Sequence, residues 1–520
     1  MHQISRTSRA HRSLLMAIAI GALTVAMPVL ADDPVPLVVE EMSDAEWDLL
    51  EAQINTRANE IANSRQFFEK DRGVITVKTR LDRVSHVLTF ELDATFVDDV
   101  GDLPLEDLQS YIGTGIEDLT ARISDFTTTL WMVGGHSMDY WFNQQIPGSV
   151  STVSQVEPIA ADSLMTYFSA VNTAPAKVVV AAGHGAYFHQ KYKWTMQRDR
   201  VNGVLEDEIT QDFAKELAHF IERRGAEAIR LRGAATGVPH EPSGLPWESI
   251  AARYFIENWR PESPELWNTK PESIDPQRER FQDIRSRPLY ANDIGADAVI
   301  HIHTNASTPG ATGARVFVHP GRPEDFKLAQ LALCGMSESI HSDPRYADYY
   351  IPRDPSSQGG KGENFLAKVP SMIVEVGFHT NVDDAKALQD PVFQKLSMKG
   401  VAKGLRLFKE GASCAPFAVK PIEPVTIVVG EEAWVPVPMT GNPTYIVNLD
   451  LKQTKCDGFK CRPRYGSFYN KREADAYRFR FTCIPGDELE PIDYIVQARD
   501  ADGIRTPPVT YRINCVQRPA

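Results

Sequence analysis

The spacing of hydrophobic residues changes along this chain, and its first part shows both helical and strand periodicity. From Trp47 to Ile61 apolar residues recur every three or four positions, which predicts an amphipathic helix, and Ser43 with Glu46 forms a capping-box pattern ahead of it. Further predicted elements are strands at 74–79, 87–96 and 127–133 and a helix at about 105–123. We therefore expect an N-terminal α+β module within residues 32–175, and we find no catalytic motif in it.

The second part, residues 176–412, alternates strand and helix patterns. Residues 177–182 are a continuous apolar run bounded by glycine, as expected of a strand buried on both faces of a parallel sheet. Other predicted strands are 228–231, 298–303, 315–319 and 371–378, and predicted helices are 209–221, 324–340 and 383–407. This order predicts an α/β fold with a mostly parallel sheet flanked by helices. An insertion at 235–283, rich in Pro, Trp and Glu, is either a lid or specificity loop or a surface excursion without function.

The third part, residues 415–520, has short alternating runs separated by Pro and Gly turns, which predicts a β-sandwich-like domain. It contains four of the six cysteines: Cys456, Cys461, Cys483 and Cys515. Pairing each with its neighbour in sequence gives two disulfides, but four cysteines allow three connectivities. A zinc knuckle is the alternative, although neither separation matches a Cys-x-x-Cys pair. Cys334 and Cys414 are isolated in the sequence.

The N-terminal segment predicts export. Three arginines precede an apolar run at 14–25, and small residues follow at 29–31, which is the order of a secretory signal peptide over residues 1–31. The run is short for a membrane span, so an uncleaved anchor helix is the less favoured alternative. We expect a periplasmic or extracellular protein with no stable membrane anchor after cleavage. The cysteine content agrees with an oxidising compartment.

Composition limits the partners. The 520 residues carry a formal net charge of -14, and removing residues 1–31, which hold three arginines and no acidic residue, leaves -17. This acidity argues against a protein that holds nucleic acid through phosphate contacts. Residues 452–480, however, include nine basic and three acidic residues, interspersed with several tyrosines. That stretch suits sugar rings or anionic polymers, or it is a solvated strand face.

Four residues at the ends or edges of predicted buried strands could carry chemistry. His184 lies between two glycines after the first α/β strand, Glu206 precedes a helix, His303 ends a strand, and Glu375 lies within an apolar strand. Ligands of open α/β sheets bind outside the carboxyl ends of the strands. Two histidines and one carboxylate leave an open position on zinc, and a second carboxylate can act as general base. His301 and Glu208 are the open alternatives to their neighbours, since each is two residues away.

These residues lie in motifs that resemble the zinc-dependent N-acetylmuramoyl-L-alanine amidases. The motifs are VVVAAGHG at 178–185, Glu206 before its helix, ADAVIHIHTN at 296–305 and PSMIVEVGFHTN at 370–381, and Arg287 and Asn292 also match the helix that leads into the second histidine motif. The resemblance covers about residues 176–410. Four ordered motifs in the matching strand and helix context make it specific.

The resemblance implies one zinc ion held by His184, Glu206 and His303, with Glu375 as the catalytic glutamate. It further implies cleavage of the amide between the lactyl group of N-acetylmuramic acid and L-alanine, in peptidoglycan or muropeptides, and it allows a protein activator. Some features depart from the family. The stretch between His184 and Glu206 is long, His301 replaces a small residue, and the insertion precedes the second histidine motif, so the regulation of some periplasmic members is not carried over.

Two other functions remain open at this point. The same site could serve a zinc peptidase or another amide hydrolase, which the fragments released from a substrate would distinguish. A non-catalytic wall-binding protein with a degenerate site is the third reading, and it should lack stoichiometric zinc.

Overall fold

The computed structural model describes residues 42–64, 73–83, 87–93, 108–109, 111–113, 115–120, 128–138, 140–141, 176–233, 239–307, 309–456 and 461–518. The predicted signal peptide, residues 1–31, lies outside these ranges. Within them, no helix is both long and apolar enough to cross a membrane.

A ten-stranded sheet organises the N-terminal and central parts of the chain. Its strands lie in the order β1-β2-β3-β11-β10-β12-β9-β5-β8, with β4 paired to β3. Most neighbours are parallel; β1–β2, β10–β12 and β3–β4 are antiparallel. The strands are β1 (Val77–Asp82), β2 (Val87–Leu92), β3 (Thr128–Val133), β4 (His136–Ser137), β5 (Lys177–Ala182), β8 (Glu227–Arg230), β9 (Ala298–Asn305), β10 (Arg315–Val318), β11 (Ser356–Gln358) and β12 (Ser371–Phe378).

Helices cover both faces of the central strands, as the alternating pattern predicts. On one face lie α3 (Glu206–Glu222), α7 (Pro323–Ile340) and α10 (Pro391–Lys409), which share a core with alternate residues of β5, β9, β10 and β12. Gly400 and Gly404 let α10 approach α7 closely, because a Cβ at either position would overlap the α7 backbone at Met336 or Ala332. The short helix α9 (Val382–Leu388) follows β12.

The predicted insertion is folded rather than extended. It contains a 3₁₀ turn at Trp247–Ser249 and helices α4 (Ala252–Trp259) and α5 (Pro264–Trp267), and it runs into α6 (Arg278–Asp293). Apolar residues of α4 and α6 cover the second face of β5 and β9. A small hairpin, β6 (Tyr187–His189) with β7 (Lys193–Thr195), packs against the start of α4.

The N-terminal elements continue the central sheet. Helix α1 (Asp44–Ser64) packs its apolar stripe on β1 and β2, and a short helix, α2 (Glu117–Thr120), lies nearby. The capping box forms, since the Ser43 backbone N–H donates to the Glu46 carboxylate at 2.7 Å. Strand β3 pairs in parallel with β11, and buried Gln109 donates to the Gly359 carbonyl. The segment between β11 and α8 (Gly362–Phe365) is therefore held from the N-terminal side.

The C-terminal part is strand-rich, as predicted. One sheet has the order β14-β21-β20-β17-β18, and the pairs β15–β19 and β13–β16 complete a shared apolar core. The elements are β13 (Ala418–Val419), β14 (Val425–Val428), β15 (Glu432–Pro436), β16 (Met439–Thr440), β17 (Val447–Gln453), β18 (Arg464–Phe468), α11 (Lys471–Asp475), β19 (Arg478–Thr482), β20 (Ile492–Arg499) and β21 (Val509–Val516).

All six cysteines form disulfides. Cys456 pairs with Cys461 and Cys483 with Cys515, which is the neighbour pairing considered from the sequence. The zinc-knuckle alternative is therefore wrong, because none of these sulfurs is a free thiolate. The third bridge, Cys334–Cys414, ties α7 to the segment after α10 and was not foreseen.

Candidate functional site

His184 projects from a sharp turn at the carboxyl end of β5. Its backbone φ is 59° and that of Gly185 is 109°, so the chain reverses through left-handed conformations. Gly183 has no room for a side chain, because a Cβ there would overlap the His303 ring. A Cβ on Gly185 would lie 2.8 Å from the Ala251 nitrogen. The two glycines therefore bring the His184 imidazole against β9 and the start of α4.

Glu206 is the first residue of α3, and its side chain turns back toward the sheet. Its Oε1 accepts a hydrogen bond from the Thr304 backbone N–H at 3.0 Å, and Arg198 Nε lies 3.5 Å from Oε2. The next residue, Asp207, accepts from the backbone N–H groups of Gly185, Gln197 and Arg198 at 2.9–3.0 Å. One carboxylate thus orders the long loop between His184 and the helix.

Three ligand atoms meet at this point. His184 Nε2 lies 3.1 Å from His303 Nδ1, and each nitrogen lies 3.2 Å from Glu206 Oε1. In a tetrahedral zinc site with bonds of about 2.0–2.1 Å, neighbouring ligand atoms are roughly 3.3 Å apart. The triangle therefore has the size that a tetrahedral metal ion requires. The set of two imidazoles and one carboxylate also suits zinc.

The charges in this triangle are tightly linked. Burial and the guanidinium of Arg198 lower the pKa of His184. Burial raises the pKa of Glu206, but the two histidines outweigh it and hold that pKa well below its usual range. Burial lowers the pKa of His303, but the carboxylates of Glu363 and Glu206 outweigh it and raise that pKa to about 10.

Glu375 lies on β12 beside His303, its register partner on β9. Its Oε2 is buried and has no hydrogen-bond partner among the described residues. Burial raises the pKa of Glu375 to about 7, against the opposing effect of His303. An uncompensated buried carboxylate is costly for the fold and is typical of functional sites.

The two alternative residues lie outside the triangle. Glu208 is exposed and forms an ion pair with Arg200 at 2.6 Å. His301 is fully buried and lies two residues before His303 on β9. Neither of its ring nitrogens has a hydrogen-bond partner among the described residues. Burial lowers the pKa of His301 to about 3, so the ring is neutral. The geometry brings together His184, Glu206 and His303, and leaves Glu208 and His301 apart.

A second layer of polar residues surrounds the two histidines. Gln197 contacts His184, and Glu363 contacts His303. Asp283 and Arg287, both on α6 and fully buried, lie between them. Of these four residues only Arg287 has a sequence signal, the match of its helix to the family pattern.

Arg232 anchors the insertion to the His184 turn. Its guanidinium is buried and donates to the backbone carbonyls of Gly183 at 2.7 Å, Asp207 at 2.6 Å, Glu248 at 2.9 Å and Ile250 at 3.0 Å. Burial lowers the pKa of Arg232 to about 10. The insertion therefore contacts the site directly, although its role as a lid or specificity loop stays a prediction.

The comparisons agree with the resemblance drawn from the motifs. Residues 178–406 match the model of the N-acetylmuramoyl-L-alanine amidase family. This match confirms the resemblance that the motifs of this region indicate. The N-acetylmuramoyl-L-alanine amidase CwlM of Bacillus licheniformis is 28% identical over 126 residues, which is 24% of this chain. The chain spans 44% of the length of that curated relative.

Two solved structures also match. The N-acetylmuramyl-L-alanine amidase Ami1 from Mycobacterium smegmatis has a TM-score of 0.32 and 13% identity, over 46% of this chain and 98% of that one. The CwlD amidase from Clostridioides difficile in complex with the GerS lipoprotein has a TM-score of 0.30 and 18% identity, over 45% of this chain and 99% of that one. The fold class itself rests on the sheet order and helix packing described above.

Proposed function

We propose that this protein is an exported zinc hydrolase that cleaves the amide between N-acetylmuramic acid and L-alanine in peptidoglycan or its fragments. The observation that carries the proposal is the triangle of His184, Glu206 and His303 with the unpartnered Glu375 carboxylate beside it. The match of residues 178–406 to the amidase family model supports the proposed identity of the cleaved bond.

The chemistry follows from the charges of these residues. A bound zinc ion would lower the pKa of a water molecule to near 7 and polarise the substrate carbonyl. Glu375, held in an apolar strand, accepts a proton from the attacking water and delivers it to the departing amine of L-alanine. Arg198, whose side chain is about one third exposed, supplies positive charge beside Glu206.

Replacement of Glu375 by Gln tests this role. Because the amide keeps the shape but cannot accept the proton, we expect amide hydrolysis to fall about 10²–10⁴-fold with stoichiometric zinc retained. Glu208→Gln is the matched control, since this exposed carboxylate lies outside the triangle. The measurement is mass spectrometry of fragments from purified sacculi. Full release by Glu375→Gln, or cleavage within the stem peptide instead of at the muramyl bond, would overturn the proposal.

We also infer that the outer face of the C-terminal sheet binds glycan or anionic wall polymer. Tyr465, Ser467 and Tyr469 alternate along and just beyond β18, and the two tyrosines are 71% and 65% exposed. Lys452 and Arg499 lie on neighbouring strands of the same sheet. Aromatic faces beside positive charge suit sugar rings. A Tyr465→Ala/Tyr469→Ala double variant should lose sacculus pull-down while releasing soluble muropeptides at the wild-type rate; unchanged pull-down would refute this role.

A further inference from the structure

We propose that Gln197, Asp283, Arg287 and Glu363 act as one unit that determines which ring nitrogen each histidine presents to the metal. This inference rests on the proposed zinc site and adds to it four positioning residues. The unit links the two histidines behind the site, on the side opposite their contact with Glu206.

The first half of the unit acts on His184. Its Nδ1 lies 3.1 Å from Gln197 Oε1, and Gln197 Nε2 donates to Asp283 Oδ2 at 3.2 Å. An ionised carboxylate can only accept hydrogen bonds, so Asp283 requires the amide nitrogen of Gln197 on its own side. The amide oxygen must then face His184. Nδ1 of His184 therefore carries the proton, and Nε2 keeps its lone pair for the metal.

The second half acts on His303 with the opposite polarity. Its Nε2 lies 3.0 Å from Glu363 Oε1, again a group that only accepts, so this nitrogen carries the proton. Nδ1 is then free to bind the metal, and it is the nitrogen that faces Glu206 and His184. The two histidines thus use different nitrogens because their second partners lie at different ring positions.

Arg287 joins the two halves. Its guanidinium is fully buried and donates to Asp283 through one terminal nitrogen and to Glu363 through the other. One buried cation therefore pairs with both carboxylates and fixes the position of Glu363 relative to Asp283.

The contributions come from distant parts of the chain. Gln197 belongs to the loop before α3, Asp283 and Arg287 to α6, and Glu363 to α8. Asp283 Oδ1 also accepts from the Arg253 backbone N–H at 3.1 Å, which ties the unit to α4. The insertion and the β11–α8 segment therefore both reach the histidines through this unit.

Zinc affinity measured by chelator competition tests the inference, because partners of ligating histidines typically contribute 10–100-fold to metal affinity. We expect Glu363→Met to weaken zinc binding about 10–100-fold, and Glu363→Gln, which retains an oxygen acceptor, to weaken it less. Gln197→Met should also weaken binding. The matched control is Glu279→Gln, because Glu279 likewise accepts from an arginine, Arg253 at 2.9 Å, but contacts no histidine of the site.

Unfolding of the zinc-free proteins separates positioning from general damage. The positioning role predicts that Glu363→Met loses zinc affinity while Glu279→Gln, at a similar loss of unfolding temperature, keeps it. Affinity within twofold of wild type in Glu363→Met and Gln197→Met would overturn the inference and leave the proposed amidase function standing. Absence of stoichiometric zinc from active wild-type protein would overturn both the metal assignment and this unit. Wild-type zinc binding without amide hydrolysis would instead overturn the proposed function alone.

Discussion

The central α/β part and the C-terminal β part bury their polar groups in different ways. In the central part, polar residues near the carboxyl ends of β5 and β9 are buried and paired with one another, among them His184, His303, Glu206, Asp283, Arg287 and Glu363. In the C-terminal part, the buried polar side chains of the described residues are Asp493, Asp500 and Thr506. There Asp500 accepts from the backbone N–H groups of Thr444 and Ile504 at 3.0 and 2.8 Å, and so shapes a turn.

The buried polar groups of the central part form the proposed catalytic site, whereas the buried residues of the C-terminal part mainly stabilise its fold. Most of the polar groups buried in the central part are paired with one another. Removal of one of them therefore leaves its partner buried without a compensating charge or hydrogen bond. The C-terminal part combines an apolar core with two disulfides and exposes most of its charged residues. Substitutions in the two parts should therefore differ in what they change as well as in how much.

The largest effect should follow loss of a ligand in the central part. His303→Ala removes one corner of the triangle, and we expect loss of stoichiometric zinc and a fall in amide hydrolysis of about 10³-fold or more. Treatment of the wild type with a chelator should have the same effect, reversed by added zinc. Metal analysis and fragment release are the measurements, and full zinc content in His303→Ala would contradict the assigned triangle.

The next effect contrasts two arginines. Arg287→Met leaves Asp283 and Glu363 buried without their cation, so the free energy of unfolding should fall by about 3–5 kcal/mol. In the C-terminal part, Arg462 pairs with Asp487 at 2.9 Å near the surface. Arg462→Met should lower the free energy of unfolding by about 1 kcal/mol or less. Chemical denaturation measures both. Equal losses of unfolding free energy would show that the buried Arg287 pairs stabilise the fold no more than the Arg462–Asp487 pair near the surface.

Disulfide removal should affect stability without affecting the site. The Cys483→Ser/Cys515→Ser variant opens a bridge that spans 32 residues, so the C-terminal part should lose about 3 kcal/mol of unfolding free energy. Zinc affinity and hydrolysis of soluble muropeptides should stay at wild-type values. A parallel loss of zinc would indicate that the two parts unfold together.

The smallest effect is a dependence of stability on pH. Burial raises the pKa of Asp325 to about 6, although its Oδ1 accepts from the Ser371 backbone N–H. The folded protein therefore binds this proton more tightly than the unfolded chain, and stability falls as pH rises from about 4 to about 6. Asp325→Asn should remove this slope, so its stability relative to the wild type should rise across that window.

Unfolding free energies at several pH values measure the difference. Asp500 gives the comparison in the C-terminal part, since burial also raises its pKa. Asp500→Asn should show the same direction. A constant difference between the Asp325→Asn variant and the wild type from pH 4 to pH 6 would contradict the assigned cause.

The sequence predicted the fold class and the members of the triangle because each of these features has a local pattern. Continuous apolar runs indicate buried parallel strands, and His184, His303 and Glu375 stand at the ends or interiors of such runs. The sequence favoured Glu206 over Glu208 and His303 over His301. Each alternative stayed open, because the two glutamates lie at the start of one helix and the two histidines share one face of β9. In the structure Glu206 and His303 lie in the triangle.

The second layer could not be predicted in this way. Gln197, Asp283 and Glu363 lie in a loop, an insertion and a four-residue helix, so no periodicity marks them. Their roles depend on distances between segments that are far apart in the chain. The bridge between Cys334 and Cys414 was missed for the same reason, since 80 residues separate its members.

The pairing of β3 with β11 also has a consequence for the order of folding. Thr128 and Thr129 find their partners at Ser357 and Gln358, more than two hundred residues later in the chain. Contacts of such sequence separation slow folding, and a chain that emerges from its N-terminus must wait for the later strand. Until then the edge of β3 that later pairs with β11 lacks that partner, and such an edge can pair with another chain. The first strands made should therefore be among the last to be completed, during the interval in which the protein most needs protection from aggregation.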